Sequence, residues 1–240
     1  MPCAALDGAW EALLYDTPLQ SLLLAYVQAA QLFAAHGVRR ALIAWNRTVM
    51  LHGPPGTGKT SLCRALAHKL ACRAAPTYPH AQLVELRAQQ LLSKYFSESG
   101  TRVAQAFAAI RARLAAPGAF VIVVIDEVES VAAQRRSGGG TGNAPEPGDA
   151  VRVVNALLTE LDALARAPNA LVLMTSNLPD AVDAALLSRI DLMLYVSLPS
   201  RRAAYAILAS CLAELVRCGM LAPIVPPLLD ARDLDLLAPS

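Results

Sequence analysis

Apolar positions along the chain follow two spacings, one typical of helices and one typical of buried strands. From Leu19 onward, apolar residues recur at helical intervals, and Gly37 is expected to end this helix. Thr17 and Pro18 are typical of a helix start, as the N-cap and the first-turn residue. In contrast, Ala119–Ile125 is a continuous run rich in β-branched residues, which predicts a strand buried on both faces.

The other regular elements continue this alternation. Predicted strands lie at 48–51, 82–86, 119–125, 171–174 and 192–196. A helix is predicted from the glycine-rich loop after the first strand to about residue 71, and others at 102–115, 151–164 and 201–217. Strands that alternate with helices are typical of a parallel sheet with helices on both faces. The pattern therefore predicts an α/β fold with a parallel five-stranded sheet.

Two segments interrupt this order. Residues 137–148 (SGGGTGNAPEPG) are so rich in glycine and proline that we expect a flexible loop there. Residues 222–240 contain four prolines and no obvious closing element. We therefore expect the chain to be a truncated piece of a longer protein.

Composition argues against several classes of protein. The longest strongly apolar run, at 119–125, is far shorter than the roughly 20 residues that span a bilayer. A net charge of +2 is too small to favour direct nucleic-acid binding. The five cysteines form no C-x-x-C pair and are expected to be free thiols in a reducing compartment.

A phosphate-binding motif follows the first predicted strand. The sequence from Gly53 to Thr60 fits G-x-x-x-x-G-K-[ST] with a strand before it and a helix after it, a context that counts against a chance glycine-rich turn. Its backbone N–H groups and the helix N-terminus favour phosphate oxygens. Lys59 is expected to reach the β- and γ-phosphates of ATP, and the Thr60 hydroxyl to bind Mg²⁺. The predicted nucleotide-binding residues of this motif are Gly53, Pro54, Pro55, Gly56, Thr57, Gly58, Lys59, Thr60 and Ser61.

Two acidic residues follow the buried strand 119–125. Open α/β sheets bind ligands at the carboxyl ends of their strands, which is where Asp126 and Glu127 are predicted to lie. We expect Asp126 to hold Mg²⁺ through the water shell of the ion and Glu127 to polarise the attacking water as a base. A solubilising pair that ends a strand is the alternative interpretation.

Of two further polar residues, Asn177 follows the next predicted strand and Arg189 comes just before the last one. The Asn177 side chain is expected to bridge the attacking water and the γ-phosphate, although asparagine is also common in turns. Arg189 is expected to complete the site of a neighbouring subunit, a role worth 10³–10⁵ in rate where such arginines have been measured. A surface salt bridge between Arg189 and Asp191 is the alternative.

Together these motifs resemble the AAA+ module of protein-remodelling ATPases, and more narrowly the pachytene checkpoint family, also known as the thyroid-receptor-interacting protein family. The resemblance runs from about residue 6 to residue 220. The stretch from Ser93 to Gly100 (SKYFSESG) is its most specific part, because most relatives have glycine in place of Ser97. The residues that carry the resemblance lie at 8–16, 45–47, 53–60, 93–100, 126–130, 149–155, 152–162 and 177.

This resemblance implies an ATPase that forms a homo-hexamer and pulls on HORMA-domain proteins of the spindle checkpoint and of meiotic chromosome axes, in nucleus and cytoplasm. Tyr95 and Phe96 would then form a substrate-gripping pore loop, which suits large aromatic side chains with little rotamer entropy to lose. The alternative is that both are core residues. The insert at 137–148 falls where the family has a second pore loop.

We also expect a departure from the family pattern, with no N-terminal substrate-recognition domain and only the beginning of a helical lid. We predict a large α/β nucleotide-binding subdomain at 1–198 and a partial, truncated lid at 199–240. Two other functions stay open: an AAA+ ATPase acting on DNA, and a nucleotide-binding module without turnover.

Overall fold

Five parallel strands form the sheet at the centre of the protein, of which the computed structural model describes residues 3–39, 42–43, 45–91, 99–131 and 147–222. The strands are β1 Thr48–His52, β2 His80–Arg87, β3 Ala119–Asp126, β4 Ala170–Ser176 and β5 Leu192–Tyr195. Their order is β2-β3-β4-β1-β5, and every neighbouring pair is parallel. The predicted α/β fold with a parallel five-stranded sheet is confirmed.

Helices cover both faces of this sheet. The α-helices among the described residues are α1 Ala9–Ala12, α2 Leu19–Ala35, α3 Lys59–Ala74, α4 Ala88–Leu91, α5 Ser99–Leu114, α6 Pro147–Arg166, α7 Ala184–Leu187 and α8 Arg201–Arg217. Side chains of β3 alternate between two apolar cores: Ile122 packs with α2 and α3, and Val123 packs with α5 and α6. Because both of its faces are covered, β3 reads as a continuous apolar run, as the sequence predicted.

The start of α2 corrects one prediction. Thr17 is not the N-cap: Pro18 occupies that position, and its side chain makes no capping hydrogen bond. The Leu19 N–H donates to the Thr17 carbonyl at 2.7 Å, so the chain turns tightly at Pro18 before the helix begins. In the first turn, Gln20 donates to the carbonyls of Trp10 and Leu13, which ties α2 to the segment before it.

At the amino-terminal end of the sheet, Asp191 joins three elements. One carboxylate oxygen accepts the Tyr26 hydroxyl at 2.7 Å and the Asn46 N–H at 2.6 Å, and the other accepts the Asn46 amide at 3.1 Å. Burial of the phenol, assisted by this bond, raises the pKa of Tyr26. Asp191 therefore fixes the loop before β5 to α2 and to the segment before β1.

Arg47 stands beside Asp191 and is only 4% exposed. Its guanidinium donates to the carbonyls of Ala165 (2.8 Å), Ala167 and Pro168 (3.1 Å), at the end of α6. It also lies over the Trp45 ring, 4.8 Å from the centroid. These bonds satisfy carbonyl groups that a helix C-terminus otherwise leaves unpaired. Arg47 and Asp191, with Trp45 and Asn46, are called the amino-end cluster below.

Several predictions fall outside the described residues. Tyr95 and Phe96 do, as do most of the insert at 137–148 and residues 223–240. The boundary between a large subdomain at 1–198 and a lid at 199–240 stays a prediction. No described helix is both long and apolar enough to cross a membrane. All five cysteines are free thiols, as predicted.

Candidate active site

The phosphate-binding loop connects β1 to α3, which begins at Lys59. Only glycine fits at position 53, because its φ is 146° and a Cβ there would stand 2.2 Å from the Val196 carbonyl oxygen. Gly58, at the N-cap of α3, has a φ of 85°, in the left-handed region that favours glycine. The motif glycines thus let the loop pass close to β5 and then enter the helix.

The Lys59 side chain lies within this loop, and the residue is 6% exposed. Its ammonium donates to the carbonyls of Gly53 at 2.8 Å and of Pro54 at 2.6 Å. Burial lowers the pKa of Lys59, and the negative charges of Glu129, Asp126 and Glu127 oppose that effect. The structure therefore holds a cation at the loop, with acidic residues facing it.

Asp126 stands where β3 meets the phosphate loop. Its Oδ1 accepts the Thr60 hydroxyl at 2.8 Å and the Thr175 hydroxyl as well. The hydroxyl and the carboxylate predicted to share Mg²⁺ are thus in direct contact. The role of Thr175 was missed, although its position at the end of β4, the strand next to β3, is the signal that could have found it.

Glu127 has a backbone φ of 57°, a left-handed conformation that costs a non-glycine residue roughly 1–2 kcal/mol. Its N–H donates to the Thr175 hydroxyl at 3.1 Å, and its carbonyl accepts the N–H and hydroxyl of Ser130 at 3.0 and 2.7 Å. The Glu127 carboxylate accepts the Gln89 amide at 3.0 Å. Neighbouring groups thus fix both the backbone and the side chain of the predicted base. Gln89 was also missed, since it follows β2, some 38 positions away in sequence.

Most of the predicted site residues come together around one cavity of about 340 Å³. Asn177, directly after β4, is among the residues that line it. The Asn177 N–H donates to the Glu129 carboxylate at 3.0 Å. The residues that line the cavity are Pro55, Gly56, Gly58, Lys59, Thr60, Ser61, Asp126, Glu127, Thr175 and Asn177.

Arg189 does not line this cavity. Its guanidinium binds both oxygens of Asp162, on α6, at 2.8 Å each, and donates to the Ala185 carbonyl at 2.7 Å. The hydrogen bond to Arg189 lowers the pKa of Asp162. The alternative that paired Arg189 with Asp191 is wrong, because Asp191 belongs to the amino-end cluster.

A second cavity of about 150 Å³ adjoins the phosphate loop. Leu13, Leu14, Pro199 and Ile207 give it apolar walls, and it shares Gly56 and Gly58 with the phosphate cavity. Apolar walls beside a phosphate site suit the flat ring of a purine base. The sequence did not predict this cavity, because segments nearly 200 residues apart build it.

The segment Leu13–Asp16, here called the strap, lines this second cavity. The Tyr15 hydroxyl donates to the Gly58 carbonyl at 3.4 Å. Burial raises the pKa of Tyr15 to about 12, so the phenol stays neutral. Asp16 accepts the N–H and the hydroxyl of Ser200, the N-cap of α8, at 2.8 and 2.6 Å. The strap therefore connects the phosphate loop to α8.

Comparisons with known proteins agree with this geometry. Residues 49–198 match the family described as "ATPase family associated with various cellular activities (AAA)". The chain is 48% identical to a pachytene checkpoint protein 2 homologue of Arabidopsis thaliana over 92% of its length, and 44% identical to the human homologue over 99%. These matches cover 47% and 54% of the two relatives, so the chain spans about half their length.

Solved structures point the same way. PCH-2 of C. elegans is 39% identical, with a TM-score of 0.75, over 91% of this chain and 53% of that one. A chain in a complex from E. coli MS115-1 named HORMA:CdnC:Trip13 is 21% identical, with a TM-score of 0.69, over 98% of this chain and 83% of that one, which shows a shared fold. The resemblance to the pachytene checkpoint family is confirmed, and the chain belongs to the AAA family of ATPases.

Proposed function

We propose that this chain binds ATP with Mg²⁺ and hydrolyses it in the cavity beside the phosphate loop. The observation that carries the proposal is the convergence of Lys59, Thr60, Asp126, Glu127 and Asn177 on one cavity at the carboxyl end of the sheet. These residues come from three separate segments, so their sequence spacing alone does not bring them together. This position is also where open α/β sheets bind their ligands.

Each residue has a role that its surroundings support. Lys59 would exchange the carbonyls of Gly53 and Pro54 for phosphate oxygens. Thr60 and Asp126 would hold Mg²⁺, since a hydroxyl and a carboxylate are the oxygen ligands this ion prefers, and the ion would neutralise phosphate charge. Glu127 would take a proton from the attacking water. The Asn177 amide would orient that water.

Calorimetry and phosphate release test this proposal. The chain is expected to bind ATP and to release phosphate only when Mg²⁺ is present. Lys59→Ala is expected to weaken ATP binding by at least about tenfold, because charge-assisted bonds to phosphate are lost. Unchanged affinity in that variant would remove the phosphate loop from the mechanism. Binding without phosphate release would favour a module that holds nucleotide without turnover.

We further propose that ATP hydrolysis drives the remodelling of HORMA-domain proteins by a homo-hexamer, in nucleus and cytoplasm. The support is the 44–49% identity to pachytene checkpoint protein 2 homologues over most of this chain, together with what that resemblance implies. The E. coli structure of the same fold names a HORMA protein in its own complex. In this proposal Tyr95 and Phe96 grip the substrate, and Arg189 acts across a subunit boundary.

A remodelling assay tests this second step. A HORMA-domain protein is incubated with the chain, Mg²⁺ and ATP, and its protease sensitivity is followed over time. Sensitivity is expected to rise with ATP and not with a non-hydrolysable analogue. Tyr95→Ala is expected to remove this effect and to leave basal phosphate release intact, because a gripping residue touches no phosphate. Loss of basal hydrolysis in a folded Tyr95→Ala variant would support a core role instead.

A further inference from the structure

Glu129 is a buried carboxylate that has no role in the proposed hydrolysis of ATP. It lies three residues after Asp126 and is 9% exposed. One oxygen accepts the Asn177 N–H at 3.0 Å, and the other is buried with no hydrogen-bond partner among the described residues. Buried carboxylates are normally paired with cations or fully hydrogen-bonded, because removing a charge from water is costly. A buried carboxylate with only one of its two oxygens hydrogen-bonded therefore calls for a functional explanation.

The location of Glu129 connects it to the phosphate loop. Among the three carboxylates whose charge acts on Lys59, Glu129 has the strongest influence, ahead of Asp126 and Glu127. The residue nevertheless does not line the phosphate cavity. Glu129 thus lies near enough to the phosphate loop to act on Lys59 through its charge, but outside the lining of the cavity.

Glu129 also lies at a junction of two loops. The Val128 N–H donates to the Thr175 carbonyl at 3.0 Å, and one residue further on, Glu129 accepts the Asn177 N–H. These bonds tie the loop after β3, which carries the predicted base, to the loop after β4, which carries Asn177. The Glu129 bond is the one that reaches the Asn177 main chain, and the main chain of a residue sets where its side chain can point.

We propose that Glu129 is a positioning residue for the hydrolysis reaction, and that it acts by holding the main chain of Asn177 so that the Asn177 amide stays in the cavity wall. A carboxylate suits this task because a bond from N–H to an ionised acceptor is roughly twice as strong as a neutral one. The inference rests on the proposed hydrolysis, in which Asn177 orients the attacking water.

The experiment is a double-mutant cycle on kcat. Glu129→Ala and Asn177→Ala are each expected to lower kcat by about tenfold or more, since small misplacements of positioning groups reduce rates strongly. The ATP affinity of Glu129→Ala is expected to change much less than its kcat, because Glu129 touches no phosphate and acts on Lys59 only through its charge. The double variant is expected to be no slower than Asn177→Ala, because both changes remove the same function. Glu214→Ala, an exposed change on α8, serves as the matched control.

Conservative variants separate the hydrogen bond from the charge. Glu129→Gln keeps an oxygen for the Asn177 N–H and is expected to retain most of kcat. Glu129→Asp keeps the charge, but it is one methylene shorter and is expected to behave like Glu129→Ala. These two also serve if Glu129→Ala does not fold, since both keep a polar group at the buried position.

Three results would overturn the inference: losses from Glu129→Ala and Asn177→Ala that multiply, a kcat for Glu129→Ala equal to that of the parent, or a Glu129→Gln variant as slow as Glu129→Ala. Glu127→Gln distinguishes this failure from a failure of the proposed function. If Glu127→Gln removes hydrolysis while Glu129→Ala does not affect it, only the positioning role is wrong. If Glu127→Gln also hydrolyses ATP like the parent, the hydrolysis site itself is misassigned.

Discussion

The two ends of the parallel sheet carry similar residues, but these residues differ in the groups that they contact. Each end has one non-glycine residue with a φ of 57°, Glu127 at the carboxyl end and Arg47 at the amino end. Each also has a carboxylate that joins several segments, Asp126 at one end and Asp191 at the other. Neither backbone strain nor buried charge therefore identifies the active site by itself.

The two ends differ in what their polar side chains face. At the amino end, the guanidinium of Arg47 and the carboxylate of Asp191 are directed at main-chain and side-chain groups of the protein, which they hold together. At the carboxyl end, Lys59, Glu127 and Asn177 line an open cavity. The amino end is built for stability, and the carboxyl end keeps bonding capacity for a ligand.

The largest effect is expected for Glu127→Gln. Hydrolysis should fall by about 10²–10⁴, the usual loss for a general base, while the free energy of unfolding changes little. The amide has the shape of the carboxylate, and glutamine meets the same backbone conformation. Phosphate release and urea denaturation measure the two quantities. A large loss of stability with normal turnover would reverse the contrast between the two ends.

Arg47→Met should lower stability and leave nucleotide binding unchanged. The free energy of unfolding is expected to fall by roughly 2–4 kcal/mol, because carbonyls at the end of α6 lose their donors in a buried place. ATP affinity, measured on the folded fraction, should not change. Arg47→Lys is the matched control, and it should recover only part of the loss because one ammonium cannot replace the planar guanidinium. An unchanged denaturation midpoint for Arg47→Met would contradict this account.

A smaller effect is expected for Asp191→Asn. The amide retains one acceptor oxygen but loses the charge and the second acceptor, so the free energy of unfolding should fall by about 1 kcal/mol. The same denaturation series measures it, with Asp7→Asn, at an exposed position, as the control. An effect on ATP affinity as large as the effect on stability would show that the amino end also serves the site.

The smallest effect is expected for Asp162→Asn, which breaks the pair with Arg189. The two side chains are 48% and 29% exposed, so the pair should contribute less than about 1 kcal/mol. Since the pKa of Asp162 is lowered in the folded state, this contribution is present above the usual aspartate pKa and is lost as the pH falls through the lowered value. Denaturation of parent and variant at pH 7 and in acid should give curves that converge in acid.

Local sequence predicted much of the fold and the first contacts of the site. The strands were found because central parallel strands are apolar on both faces, as β3 shows. Lys59, Thr60 and Asp126 were predicted as site residues because each motif lies close to the end of its own strand, and the structure brings the three together around one cavity. In these cases the residues that determine the structure lie close together in the sequence, so a local pattern is enough to predict it.

Whether the remaining residues come near the site depends on which strands are adjacent in the sheet. The spacing of residues in the sequence does not reveal that order. Gln89, Thr175 and Glu129 reach the site because the strand ends meet at one edge of the sheet. The pairing of Arg189 with Asp162 depends in the same way on how α6 packs. Arg47 was noticed only as part of a family resemblance, and its structural role emerged from its contacts with α6.

The strap has a consequence for how force and nucleotide would act on each other. Asp16 holds the N-cap of α8, and Ile207 of α8 lines the same small cavity as Leu13 and Tyr15. A base bound there would touch both elements and make their separation more costly. Because the coupling is reciprocal, a load that pulls α8 away from the strap would lower the affinity for the nucleotide. Tension on α8 would thus weaken the binding of the nucleotide.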